Sequence, residues 1–181
     1  MGSSFSPRLN AVNSQVTEII IVRHGETEWN ADERIQGHLD VELNEVGREQ
    51  RSLVARRIAE VYTISAVYSS DLKRAHETAE AIAQSCGIPQ VSLLFPHPNS
   101  RLLESTIFQV KTDPDLRERH LGNLQGLTLR EASIRFPEAY RALMSRKTDI
   151  NIPGGGECLD RLFDRSTSAV EKIAGNHRGI I

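Results

Sequence analysis

Short β-branched apolar runs alternate with stretches of helical period along this chain, the pattern of a mainly parallel sheet covered by helices. Thr17–Val22 (TEIIIV) predicts a buried strand that stops at Arg23-His24-Gly25. Residues 26–43 show no clean period, and a connection of that length within a domain is usually functional. Asn44 then caps a predicted helix over 45–61, with Val46, Leu53, Val54, Arg57, Ile58 and Val61 on one face. Ile64–Tyr68 predicts a second strand. Ser70 is expected to cap a helix over 71–86 that turns Leu72, Ala75, Ala79, Ile82, Ala83 and Cys86 inward. Gly87 supplies its left-handed end and Pro89 follows.

Gln90–Phe95 predicts a third strand, and Ser105–Val110 has the composition of another. Leu127–Ser145 is helical in pattern but broken at Pro137. Pro153-Gly154-Gly155-Gly156 is a loop leading into a helix over 157–174, which presents Leu159, Leu162, Phe163, Val170 and Ile173 and ends at Gly175. Ile180-Ile181 begin a strand. Residues 1–15, rich in Ser and Asn, read as a disordered arm, and 16–181 as one domain.

The balance of 22 basic and 24 acidic residues, a net charge of −2, excludes the basic footprint of a dedicated nucleic-acid binder. Cys86 and Cys158 form neither a disulfide framework nor a metal pair, which fits a reducing, cytoplasmic setting. Met1-Gly2-Ser3-Ser4-Phe5-Ser6 fits an N-myristoylation pattern that short small-residue termini often match by chance. One acyl chain beside the lone Arg8 gives no stable membrane association.

The chemistry concentrates in Arg23-His24-Gly25-Glu26-Thr27, at the strand edge where open α/β sheets bind ligands. A neutral imidazole can attack phosphorus, and the phosphohistidine divides one hard displacement into two easier ones. The second ring nitrogen needs a carbonyl to fix the tautomer, and Gly25 would let backbone approach the ring. Arg23 offers a planar fork for phosphate oxygens. No histidine pair has metal-ligand spacing, and the glycine loop lacks the Lys-Ser/Thr ending of a nucleotide site, so no metal and no cofactor is expected.

RHGETEWN (23–30) resembles the signature of the histidine phosphatase superfamily, in its phosphoglycerate mutase-like branch. The resemblance continues through RIQG (34–37), LNEVGREQ (43–50), YSSDLKRAHETA (68–79), LRERHLGNLQGL (116–127) and PGGGE (153–157). It implies a three-layer α/β/α sandwich with a mainly parallel central sheet, and His24 as nucleophile. It further implies that Arg23 and Arg74 bind phosphate, that Glu118 is the acid/base, and that Asn30, Gln36 and Gly37 line the phosphate or substrate. Arg119 and His120, beside Glu118, are expected to meet substrate, with Arg119 opposing any upward pKa shift of Glu118.

Two departures stand out. Residues 95–111 look inserted, which could displace Glu118. The family also implies a second His in a His-Gly pair ending a later strand. The chain stops at Ile181 before such a pair, and His177 lies at the wrong end of the strand. A C-terminally truncated form with little turnover is therefore expected. The implied activity is metal-independent phosphoryl transfer through a phosphohistidine, foremost hydrolysis of a small phosphorylated metabolite. Mutase-type transfer and a non-catalytic phosphate-binding form remain the alternatives.

Overall fold

The computed structural model describes residues 16–88 and 110–177. A single turn, α1 (Glu28–Ala31), leads through an irregular segment to the long helix α2 (Glu45–Val61). Strand β1 (Val67–Ser69), helix α3 (Lys73–Ser85) and strand β2 (Val110–Thr112) follow. Two 3-10 turns (Pro114–Leu116 and Gly122–Leu124) and helices α4 (Leu129–Arg135), α5 (Pro137–Leu143) and α6 (Leu159–Asn176) complete the described elements. β1 and β2 pair in parallel, Val67 opposite Val110 and Ser69 opposite Thr112.

Helices cover both faces of this ladder. Val67 is buried with Ala55 and Ile58 of α2 and Ala79, Ile82 and Ala83 of α3. Its neighbour Tyr68 points the other way, because successive strand residues alternate faces. There its hydroxyl lies 2.9 Å from His177 Nε2 at the end of α6. The fold is therefore α/β, with the helix–sheet–helix layering expected. A second core of Leu121, Leu124, Leu127, Ala132, Ala139 and Ile152 carries α4 and α5 beside the first.

Asn44 caps α2 as expected, its Oδ1 accepting the Gly47 N–H at 2.8 Å. Pro137 divides α4 from α5, and Gly87 adopts φ 64° after α3. Other expectations need correction. Thr17–Val22 makes no ladder among the described residues, and Ile21 is 86% exposed. A strand needs a partner as well as a composition, and only Val22 of its later residues packs on the first core. β1 begins three residues after Ile64. Ser70 does not cap α3; Leu72 occupies that position, and Asp40 Oδ1 accepts the Lys73 N–H at 2.7 Å from across the fold.

On α2 the buried residues are Gly47, Ala55 and Ile58, while Val46, Leu53 and Val61 are exposed. Small residues let α2 and α3 approach closely, which rotates the larger apolar residues outward. Leu159 and Phe163 of α6 are likewise exposed, and the helix continues past Gly175 to Asn176. The predicted arm (1–15), the strand at 90–95, most of the expected insertion and the Ile180-Ile181 strand lie outside the described residues. None of the described helices is long and apolar enough to cross a membrane.

Candidate active site

The segment carrying His24 is held by neighbours from α2 and α3. The Gly25 N–H donates to Thr78 Oγ1 at 3.2 Å, and the Glu26 N–H to Gln50 Oε1 at 2.9 Å. The tight fit comes from two glycines. A Cβ on Gly25 would stand 2.4 Å from the Gly47 carbonyl oxygen, and one on Gly47 would stand 2.0 Å from the Glu26 carbonyl oxygen. Gly25 thus admits the start of α2, and its own carbonyl is the backbone group that meets the imidazole.

His24 Nδ1 lies 2.6 Å from the Gly25 carbonyl. A carbonyl only accepts, so Nδ1 carries the proton and Nε2 keeps its lone pair. Arg74 Nε points at that Nε2 from 3.3 Å. Burial, the main cause, holds the His24 pKa below the ordinary imidazole value; the charges of Arg74 and Arg23 act the same way, against the Gly25 carbonyl. The ring is therefore neutral at neutral pH.

Arg74, near the start of α3, is 1% exposed. Its Nη1 donates to the Leu39 carbonyl at 2.9 Å and its Nη2 to the Gly37 carbonyl at 2.8 Å. Nη2 also meets Glu118 Oε2 at 3.1 Å. Arg74 therefore joins His24 and Glu118 at one point. Burial raises the Glu118 pKa, with Arg74 and then Arg23 pulling it down. The opposing cation is thus Arg74 and not Arg119. Glu118 stands within reach of Arg74, so no displacement by the preceding segment is seen.

Thr27 organises the facing wall. Its hydroxyl lies 3.0 Å from both Asn30 Oδ1 and Gln36 Oε1, and its N–H donates to Asn30 Oδ1 at 3.1 Å. With both amide oxygens turned to Thr27, the two NH₂ groups are left as donors. A cavity of about 390 Å³ is lined by Arg23, His24, Asn30, Arg34, Ile35, Gln36, Glu118 and Leu121. Arg23 is exposed at this cavity.

Three expected substrate contacts do not line it. Gly37 contributes its carbonyl to Arg74. Arg119 turns its Nε to the Glu157 carbonyl at 2.9 Å, and the His120 ring takes the Gly122 N–H at 3.1 Å while packing edge-on against His38. Consecutive side chains in a non-helical segment diverge, so neighbours of Glu118 in sequence are not its neighbours in the cavity. Arg34, Thr27, Thr78 and Gly47 were not singled out. Each lies within a segment that carries the family resemblance, Thr27 in the RHGET run itself.

A model of the histidine phosphatase superfamily (branch 1) matches residues 19–93 and 100–181. Phosphoglycerate mutase-like protein 4 of Arabidopsis thaliana is 51% identical over 95% of this chain and 66% of its own length. The metal-independent phosphoserine phosphatase of the same plant is 48% identical over 93% of this chain and 63% of its own. A mycobacterial glucosyl-3-phosphoglycerate phosphatase, solved with VO3, superimposes with a TM-score of 0.65 at 31% identity, covering 84% of this chain and 62% of that one. The chain thus spans 66% and 63% of the length of these two curated relatives. With the geometry around His24, the buried Arg74 and the extent of these matches, the chain belongs to the histidine phosphatase superfamily, branch 1.

Proposed function

We propose that this protein hydrolyses a small phosphorylated metabolite through a phosphohistidine at His24. The observation that carries the reading is the fixed tautomer: Nδ1 is bound to the Gly25 carbonyl and Nε2 faces Arg74, whose guanidinium also holds Glu118. A cavity of about 390 Å³ suits a small ester, since such sites run roughly 300–1,000 Å³. The phosphoryl group sits against Arg23 and Arg74, with the NH₂ groups of Asn30 and Gln36 as further donors. Its negative charge raises the Glu118 pKa further, which favours the protonated carboxyl that a proton donor needs.

His24 Nε2 attacks phosphorus, the P–O bond to the leaving group breaks, and Glu118 gives its proton to the departing alkoxide. Glu118, now a carboxylate, takes a proton from water as the water oxygen attacks phosphorus and the bond from phosphorus to His24 Nε2 breaks. Inorganic phosphate leaves and His24 is restored. A cytoplasmic location accords with the two free thiols, Cys86 and Cys158.

The test is acid-labile phosphate on the protein after mixing with labelled phosphomonoesters. His24→Ala should abolish the label. A variant that still takes up acid-labile phosphate would refute the assignment, and saturable phosphate binding without labelling would point to a non-catalytic binder.

A further inference from the structure

We propose that the Glu157–Arg165 ion pair, outside the cavity, positions Glu118 by clamping the backbone of residues 115–120. Arg165 rises from the second turn of α6. Its Nη1 donates to the carbonyls of Asp115 at 2.7 Å and Arg117 at 2.8 Å. Its Nη2 donates to the Glu118 carbonyl at 2.9 Å and to Glu157 Oε2 at 2.7 Å, and its Nε to Glu157 Oε1 at 2.9 Å. One guanidinium thus ties three carbonyls, from the 3-10 turn Pro114–Leu116 and the extended residues after it, to a carboxylate.

Glu157 closes the clamp from the other side. Its Oε2 accepts the His120 N–H at 2.8 Å, its own N–H donates to the His120 carbonyl at 2.9 Å, and its carbonyl accepts Arg119 Nε. The side chains of Arg165 and Glu157 are only 18% and 10% exposed. Neither lines the cavity. His38 Nε2 adds a second bond to the Glu118 carbonyl, at 2.8 Å. The Glu118 carbonyl is therefore held by Arg165 and His38 together.

Two features make the pair specific to this task. A planar fork with five N–H groups serves several acceptors at fixed angles, which an ammonium cannot copy. The opposite charges also cancel, so the clamp aligns Glu118 without adding a net charge beside the phosphate site. The charged or titratable groups around Glu118 are Arg74 of α3, Arg23 and His24 of the segment before α1, His38, and Arg165 itself. Loosening the clamp lets the Glu118 side chain, already 45% exposed, turn fully into water and away from Arg74.

The inference rests on Glu118 being the proton donor, and the experiment separates the two. Glutamate labelled with ¹³C at the carboxyl is titrated by NMR in the unaltered chain, Arg165→Met, Arg165→Lys and Glu157→Gln. Arg165→Met should move the Glu118 titration toward the ordinary glutamate value, with Arg165→Lys in between. Turnover of an alkyl phosphate should fall about 10- to 100-fold in Arg165→Met, as for a misplacement of about 1 Å, with nitrophenyl phosphate changed far less. If the unaltered chain turns over no alkyl phosphate, the hydrolytic reading fails while the titration still decides the clamp. An unchanged Glu118 titration in a cooperatively melting Arg165→Met overturns the clamp. If that variant shows no cooperative melt, an unchanged titration in Arg165→Lys or Glu157→Gln overturns it.

Discussion

Replacing Gly47 by alanine sets two physical effects of opposite sign against each other. Gly47 lies in the first turn of α2, where alanine is favoured by roughly 0.8–1.0 kcal/mol on helix propensity. Packing opposes it. The new Cβ would stand 2.0 Å from the Glu26 carbonyl oxygen and 2.7 Å from the Glu26 nitrogen, both backbone atoms. No side-chain rotation relieves that overlap, so α2 or the His24–Thr27 segment must move by about 1 Å. Overpacking of this kind costs about 1–3 kcal/mol. The net is a loss of up to about 2 kcal/mol, or roughly 4–8 °C in melting temperature for a domain of this size. The movement falls on residues adjoining His24, and a shift of about 1 Å costs roughly 100-fold in rate. A thermal melt by circular dichroism and the rate of acid-labile labelling of His24 measure both effects. A Gly47→Ala protein that melts higher and labels at the unaltered rate would show that the segment does not depend on this contact.

Arg74→Ala should weaken phosphate binding more than Arg74→Lys, and lysine should restore only part, because a single ammonium cannot serve His24, the Leu39 and Gly37 carbonyls and a phosphoryl oxygen together. Isothermal titration with inorganic phosphate decides this, and equal affinities in the two variants would refute it. Glu118→Gln should slow alkyl phosphates about 10²–10⁴-fold but nitrophenyl phosphate much less, since nitrophenolate leaves without a proton; equal slowing would make Glu118 a binding group. The His24 pKa is lowered mainly by burial, so the folded state binds fewer protons than the unfolded one between its own pKa and about 6.5. The stability contributed by His24 is therefore complete above about pH 6.5 and is lost as pH falls through the folded value. Urea midpoints across that window should fall more steeply for the unaltered chain than for His24→Asn, and parallel profiles would contradict the shift.

Local signals carried far in this chain. The cap at Asn44, the helix over 45–61, the break at Pro137 and the left-handed Gly87 depend on residues within one or two turns, and all were legible. So were the RHG segment and the expectation that a carbonyl would fix the His24 tautomer. The fold class followed from the alternation of runs and periods.

What joined distant segments was not legible. Thr17–Val22 has the composition of a strand, but ladder bonds require a second segment that composition does not name. Asp40 replaces Ser70 as the partner at the start of α3 because its carboxylate is delivered from another loop. Val46 and Phe163 fit an apolar helical stripe yet face outward, since the buried side of each helix is chosen by the size of the residues that meet there. Arg119 and His120 adjoin Glu118 in sequence but turn away from the cavity, while Arg165, in α6, reaches its carbonyl. Sequence alone named the candidate reactive groups and determined the helices, because those depend on residue chemistry and on bonds closed within a few residues. Tertiary structure alone decided the partners, because a guanidinium or a carboxylate acquires its role from the acceptors that folding brings within about 3 Å.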